Sequence, residues 1–203
     1  MTIPGAIECG VAAAALPGEA SCGDVPVLQP FPGGFLAAAV DGLGHGEPAA
    51  SAANIARRTL EAHAQEPPVE LIQRCHQALR ATRGIVLSLG SFDLRRELLT
   101  WLGVGNVQGA FLRRGPTNDV AEDSLLLRAG VVGAQLPVLQ ATVLPLSAGD
   151  TLVFATDGIA PNFIRGLARN LPPQRAAEGI LARYFKSTDD ALVVVARYGG
   201  GLP

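Results

Sequence analysis

Three acidic positions stand where apolar runs end or begin. Phe35-Leu36-Ala37-Ala38-Ala39-Val40 leads into Asp41-Gly42, Leu152-Val153-Phe154-Ala155-Thr156 leads into Asp157-Gly158, and Asp189-Asp190 opens the run Ala191 to Ala196. A carboxylate at the end of a buried strand is costly to desolvate unless positive charge stands beside it. No lysine or arginine adjoins any of the three in sequence. Acids without basic partners are the chemistry of a site for hard divalent cations, which take oxygen ligands. Glycine directly after Asp41 and Asp157 carries no Cβ, so the backbone carbonyl can come close to such an ion.

The elements around these acids follow from hydrophobic periodicity. Ala49, Ala52, Ala53, Ala56 and Leu60 recur at helical spacing after Gly44-His45-Gly46-Glu47-Pro48. Pro67-Pro68 breaks that helix and starts another, in which Leu71, Ile72, Cys75 and Leu79 share a face until Gly84 stops it. Ile85 to Leu89, Leu98 to Val104, Gln108 to Leu112 and Leu125 to Leu127 are short apolar runs parted by Gly, Pro, Asn and Asp, the pattern of antiparallel strands and turns. Pro137 to Leu146 reads as another strand, turning at Ser147-Ala148-Gly149-Asp150 into the one that ends at Asp157. Phe163, Ile164 and Leu167 open a helical region whose second part runs from about Pro173 to Phe185, and Ala191 to Tyr198 is the closing strand. Many antiparallel strands with segregated helices predict an α+β fold of stacked sheets with helices outside. With no repeat, linker or low-complexity segment, residues 1–203 read as one domain.

Composition removes several classes of function. Hydrophobic residues make up 48% and charged residues 17% of the chain, a core-rich balance. A formal charge of −2 gives no electrostatic footprint for nucleic acid or an anionic membrane. Cys9, Cys22 and Cys75 are odd in number and lack C-x-x-C spacing, which argues against a disulfide framework and a zinc knuckle. Val11 to Ala15 has no basic segment before it and is interrupted by Pro17 and Glu19, unlike a signal peptide. No apolar stretch reaches the roughly 20 residues needed to span a bilayer. The expectation is a cytoplasmic protein, monomeric, without nucleic-acid or membrane partners.

Other motifs fail on spacing. Asp41-Gly42-Leu43-Gly44-His45-Gly46 places its glycines as G-x-G-x-G, not G-x-G-x-x-G, and Asp41 would face a pyrophosphate with like charge. Neither a Walker lysine nor a G-x-S-x-G elbow occurs. His45 is either a general acid or a loop residue, while His63 and His76 fall on helices with structural roles. Asn106, in a glycine turn, reads as a residue tolerating positive φ. Asp93, Asp119 and Asp123 fall in turn-rich segments and need no function.

The ordered set of motifs resembles one family. Pro17-Gly18-Glu19-Ala20-Ser21-Cys22-Gly23-Asp24 and Val40 to Gly46 resemble the first two motifs of the metal-dependent protein phosphatases related to protein phosphatase 2C, in their SpoIIE-like bacterial branch. Gly103-Val104-Gly105-Asn106-Val107 resembles the middle motif, Gly149-Asp150 with Ala155 to Ile159 the third metal motif, and Thr188-Asp189-Asp190-Ala191 the last. The resemblance implies a four-layer αββα sandwich with two Mn²⁺ or Mg²⁺ ions at one edge. It implies that Asp41 bridges the ions, that the Gly42 carbonyl binds one, and that Asp157 with Asp189 or Asp190 completes the other, the register favouring Asp189. Asp24 would contribute through water or to a weaker third ion. The implied activity is hydrolysis of phosphoserine or phosphothreonine by a metal-activated water.

Three departures from the eukaryotic pattern stand out. The histidine proposed there as general acid directly follows the Asp-Gly pair, whereas His45 lies further along. No arginine precedes Arg57, so the metals are expected to grip the phosphate alone. Gly23 occupies a position that often carries a carboxylate. A chain with no room for a sensory domain resembles the stressosome feedback phosphatases, whose substrates are STAS-domain scaffold proteins. The rival readings are a non-catalytic phosphoprotein-binding module of the same fold, a hydrolase of small phosphate esters, and a structural protein whose acids cap turns.

Overall fold

The computed structural model describes residues 2–3, 6–19, 21–114, 122–166 and 171–200. Two antiparallel sheets face each other, with helices on both outer sides, as the strand-rich pattern predicts. One sheet has five strands in the order β3 (Asp24–Phe31), β4 (Gly34–Gly42), β5 (Ile85–Asp93), β6 (Leu98–Val104), β9 (Thr142–Pro145). The other has six, in the order β1 (Thr2–Ile3), β2 (Ile7–Ala14), β11 (Ala191–Tyr198), β10 (Thr151–Ala155), β7 (Gln108–Leu112), β8 (Glu122–Ser124). Helices α1 (Glu47–Ala62) and α2 (Pro68–Ala78) cover the first sheet, and α3 (Pro173–Tyr184) covers the second.

Side-chain alternation assigns each strand face to a layer. On β4, Phe35, Ala37 and Ala39 enter the core between the sheets, where they meet Trp101, Phe111, Leu152, Phe154, Leu192 and Val194. Leu36, Ala38 and Val40 point the other way, onto Ala52, Ala53, Ala56 and Leu60 of α1 and Leu71, Ile72 and Cys75 of α2. Val153, Ala155, Val193 and Val195 form a third core with Ala177 and Ile180 of α3. Burial on both faces explains why β4 reads as a continuous apolar run. The same alternation carries Asp41 to the inter-sheet side at the end of its strand.

Several sequence expectations change in detail. The strand expected over Pro137 to Leu146 shortens to Thr142–Pro145, an edge strand on which Val143 is exposed while Leu144 packs against the inter-sheet core. The short strand near Leu125 to Leu127 lies at Glu122–Ser124 instead. The first helical piece after Asp157 is a single 3₁₀ turn, Phe163–Gly166, and Leu167 falls outside the described residues, as does Asp119. Strands β2 and β3 went unread: the alanines of β2 carry no strand propensity, and β3 contains Pro26 and Pro30. All three cysteines are free thiols. No helix among the described residues is long and apolar enough to cross a membrane.

Candidate active site

The ends of β3, β4, β10 and β11 meet at one mouth of the sandwich. Asp24, the first residue of β3, pairs directly with Asp41 near the end of β4. Thr156 follows β10 on the opposite sheet and donates its hydroxyl to Asp24 Oδ2 at 2.7 Å, fully buried. That bond joins the two sheets at the site. Thr156 Oγ1 also accepts the Leu192 amide at 2.8 Å, so its hydroxyl proton is directed away from that amide and toward the carboxylate.

Asp189 and Asp190 divide their roles. Asp190 is 3% exposed, and both its oxygens are taken by backbone amides: Leu16 N at 2.7 Å to Oδ1 and Gly23 N at 2.6 Å to Oδ2. It clamps the two ends of the segment that leads from β2 into β3. Asp189 is partly exposed and accepts only the Asp190 amide, at 2.9 Å, leaving Oδ2 free of a described partner. Asp157 Oδ2 accepts from Asn106 Nδ2 at 2.8 Å. Positive φ in that turn belongs to Gly105, not Asn106. Asn106 therefore orients a site carboxylate, a role that a reading by turn propensity alone could not supply.

The glycines after Asp41 and Asp157 are required by close packing. A Cβ on Gly42 would overlap the Ala49 carbonyl at the start of α1, and one on Gly158 would overlap the Asp190 carbonyl. At Gly23, where a carboxylate was the family expectation, a Cβ would stand 3.1 Å from both Asp190 Oδ2 and Ala49 Cβ, so a larger side chain would disturb the clamp.

Burial, reinforced by neighbouring negative charge, sets the electrostatics. It pushes the Asp41 carboxyl up to about 9, with Asp24, Asp157, Asp189 and Asp190 adding to the rise. Asp24 rises to about 7 for the same reason, opposed by the Thr156 hydroxyl. Asp157 is raised by burial and by Asp189, against the pull of Lys186 and Asn106. Lys186 reaches this neighbourhood because its amide bonds the Gly158 carbonyl at 2.9 Å. No arginine or lysine forms an ion pair with Asp24, Asp41, Asp157, Asp189 or Asp190 among the described residues. Nor, among those residues, do three Asp, Glu, His or Cys side chains stand close enough together to hold an ion as they are placed. The donor set nonetheless fits a hard divalent cation, being all oxygen, acidic and free of ion pairs to arginine or lysine among the described residues.

On the rim, His45 Nδ1 lies 2.9 Å from Glu19 Oε1, and the imidazole is largely exposed. Ser21 Oγ donates to Glu47 Oε2 at 3.4 Å, a second tie between the loop before β3 and the start of α1. Asp150, in the turn before β10, spends both oxygens on the Arg114 and Ser147 amides and serves that turn. Asp93 caps its own turn through the Arg95 and Arg96 amides.

Residues 32–199 match the family model described as Stage II sporulation protein E (SpoIIE). The chain belongs to the SpoIIE family of phosphatase domains. Its SpoIIE match takes in Asp41, Asp157, Asp189 and Asp190 and begins after Asp24. Among characterised proteins it is similar to phosphoserine phosphatase RsbX of Bacillus subtilis (strain 168), 24% identical over 178 residues that cover 88% of this chain and 87% of that protein. A structure of RsbX in complex with magnesium superposes with a TM-score of 0.83 at 22% identity, covering 96% of each chain. A structure from work on the bacterial stressosome, described as a modular system adapted to control secondary messenger signalling, superposes at 0.84 with 31% identity, covering 94% of this chain and 99% of the other.

Proposed function

We propose that this protein is a divalent-metal-dependent phosphatase of phosphoserine and phosphothreonine in proteins. The observation that carries the reading is the convergence of Asp24, Asp41, Asp157 and Asp189 at one mouth of a SpoIIE-family sandwich, none of them in an ion pair with arginine or lysine among the described residues. Asp41, the Gly42 carbonyl, Asp157 and Asp189 would hold the ions, with Asp24 as an outer ligand. Asp190, with an amide on each of its oxygens, acts as the clamp, which favours Asp189 as the direct ligand. Bound Mg²⁺ or Mn²⁺ would supply acidification of a water and neutralisation of phosphoryl charge.

The chain's own residues hold this arrangement. Thr156 fixes Asp24, Asn106 fixes Asp157, and Asp190 fixes the loop that carries Glu19. Glu19 holds His45 by Nδ1, which leaves Nε2 to hand a proton to the departing serine or threonine oxygen. The substrates are STAS-domain scaffold proteins of a stressosome, dephosphorylated in the cytoplasm as negative feedback by a monomeric phosphatase. Similarity to RsbX and to a stressosome-related structure supports that partner. The test is phosphate release from phosphorylated stressosome scaffold proteins, run beside nucleotides and small phosphate esters with Mn²⁺ present. Release from the scaffold proteins at a higher kcat/KM is expected, and a preference for nucleotides would overturn the assignment.

A further inference from the structure

A cation packs against the loop that follows Asp41-Gly42, contributed by a part of the chain distant from the acids in sequence. Arg83 lies in the turn between α2 and β5. The Gly84 carbonyl beside it accepts the Leu43 amide at 3.2 Å, which fastens this turn to the loop following Asp41-Gly42. Gly44 in that loop has φ +85°, a conformation suited to glycine, and a Cβ there would stand 2.7 Å from Arg83 Nη1. The guanidinium therefore lies over bare backbone, in a slot that any side chain at position 44 would fill.

Arg83 is exposed, and no hydrogen bond or ion pair joins it to another described residue. Gly44 is three residues from Asp41, a span of at most about 10 Å even when fully extended. The donors of Arg83 thus stand unengaged beside the loop that follows Asp41-Gly42. Lys186, the other cation nearby, already acts on Asp157.

A phosphomonoester entering such a site carries negative charge into a field of carboxylates. A guanidinium offers a planar fork that matches two phosphoryl oxygens, and it stays charged at every working pH. We propose that Arg83 binds the phosphoryl group of the substrate at the rim of the site and serves binding rather than bond cleavage. The proposal rests on the phosphatase reading above. It also corrects the expectation that metals alone grip the phosphate because no arginine precedes Arg57, since the fold supplies the arginine from position 83.

The test uses the full chain with Mg²⁺ and two fluorescein-labelled peptides that are otherwise uncharged. One carries a single non-hydrolysable phosphonate mimic of phosphoserine, and the other carries serine in its place. By fluorescence anisotropy, the parent protein should prefer the phosphonate peptide. Arg83→Ala should lose about tenfold or more of that affinity, as expected for a charged hydrogen bond, with binding of the serine peptide unchanged. Arg83→Lys should recover part of the loss. Arg80→Ala, an exposed arginine at the preceding helix end, should bind like the parent. With the phosphoserine peptide as substrate, Arg83→Ala should raise KM and leave kcat unchanged. Parent-like phosphonate affinity in Arg83→Ala, or an equal loss in Arg80→Ala, overturns the assignment while leaving the phosphatase reading intact. A parent that fails to distinguish the two peptides overturns both.

Discussion

Asp24 and Asp41 face each other across the β3–β4 ladder as a directly opposed pair on the inter-sheet side. Like charges in that position are destabilising. Only the Thr156 hydroxyl is bonded to either carboxylate among the described residues. Without metal the pair is relieved by holding protons, and a cation would take their place.

Metal should stabilise the fold. Mg²⁺ or Mn²⁺ at a hundredfold excess over Kd contributes about 2.7 kcal/mol by linkage. For a chain of this size that corresponds to a rise in Tm of about 5–10 °C over the EDTA-treated protein. Thermal melts in EDTA, Mg²⁺ and Mn²⁺ check this, and hydrolysis of p-nitrophenyl phosphate should stop in EDTA. Full turnover in chelator would refute the metal reading.

The metal-free protein should lose stability as pH rises. The folded carboxyls of Asp24 and Asp41 sit at about 7 and about 9, above the ordinary value of 3.8. The folded state therefore binds more protons than the unfolded state between about pH 4 and 9, and the slope of stability against pH is negative there. The contribution is fully present below about pH 4 and is lost as pH climbs through 7 and then 9. Urea melts in EDTA at pH 5.5, 7 and 8.5 should show a falling midpoint, and saturating Mg²⁺ should flatten the trend.

Asp41→Asn should reduce turnover to background while leaving the metal-free protein as stable as the parent or more so, because it removes a carboxyl that must hold a proton to remain buried beside other acids. Circular dichroism melts in EDTA and phosphatase assays in Mn²⁺ read the two effects separately. A variant that keeps near-parent turnover would show that Asp41 does not hold the metals.

Asp189 and Asp190 should separate by phenotype. Asp189→Asn should abolish activity with little change in stability. Asp190→Ala strands the Leu16 and Gly23 amides and should cost about 2–4 kcal/mol, since each amide loses a charge-assisted bond. Faster hydrogen exchange at Gly23 in Asp190→Ala would locate the damage.

His45→Ala should cost less than Asp41→Asn, within the roughly 10²–10⁴ range of general acid catalysis. The loss should be larger for a phosphoserine peptide than for p-nitrophenyl phosphate, whose phenolate departs without needing a proton. Equal losses on both substrates would remove the proton-donor role.

The acids, their order along the chain and the segregation of helices from strands are all legible in the sequence, because burial imposes its own periodicity. Phe35 to Val40 and Ala191 to Ala196 announce doubly covered strands, and each acid beside them is conspicuous by contrast. Asn106, Arg83 and the division between Asp189 and Asp190 are not legible there. Each depends on where groups distant in sequence come to rest, as in the Asn106–Asp157 bond spanning 51 residues, or the Asp190–Gly23 bond spanning 167. Periodicity reports only which side of an element is buried. Partner, distance and the competition of backbone amides for a carboxylate were decided by the packing of one sheet on the other.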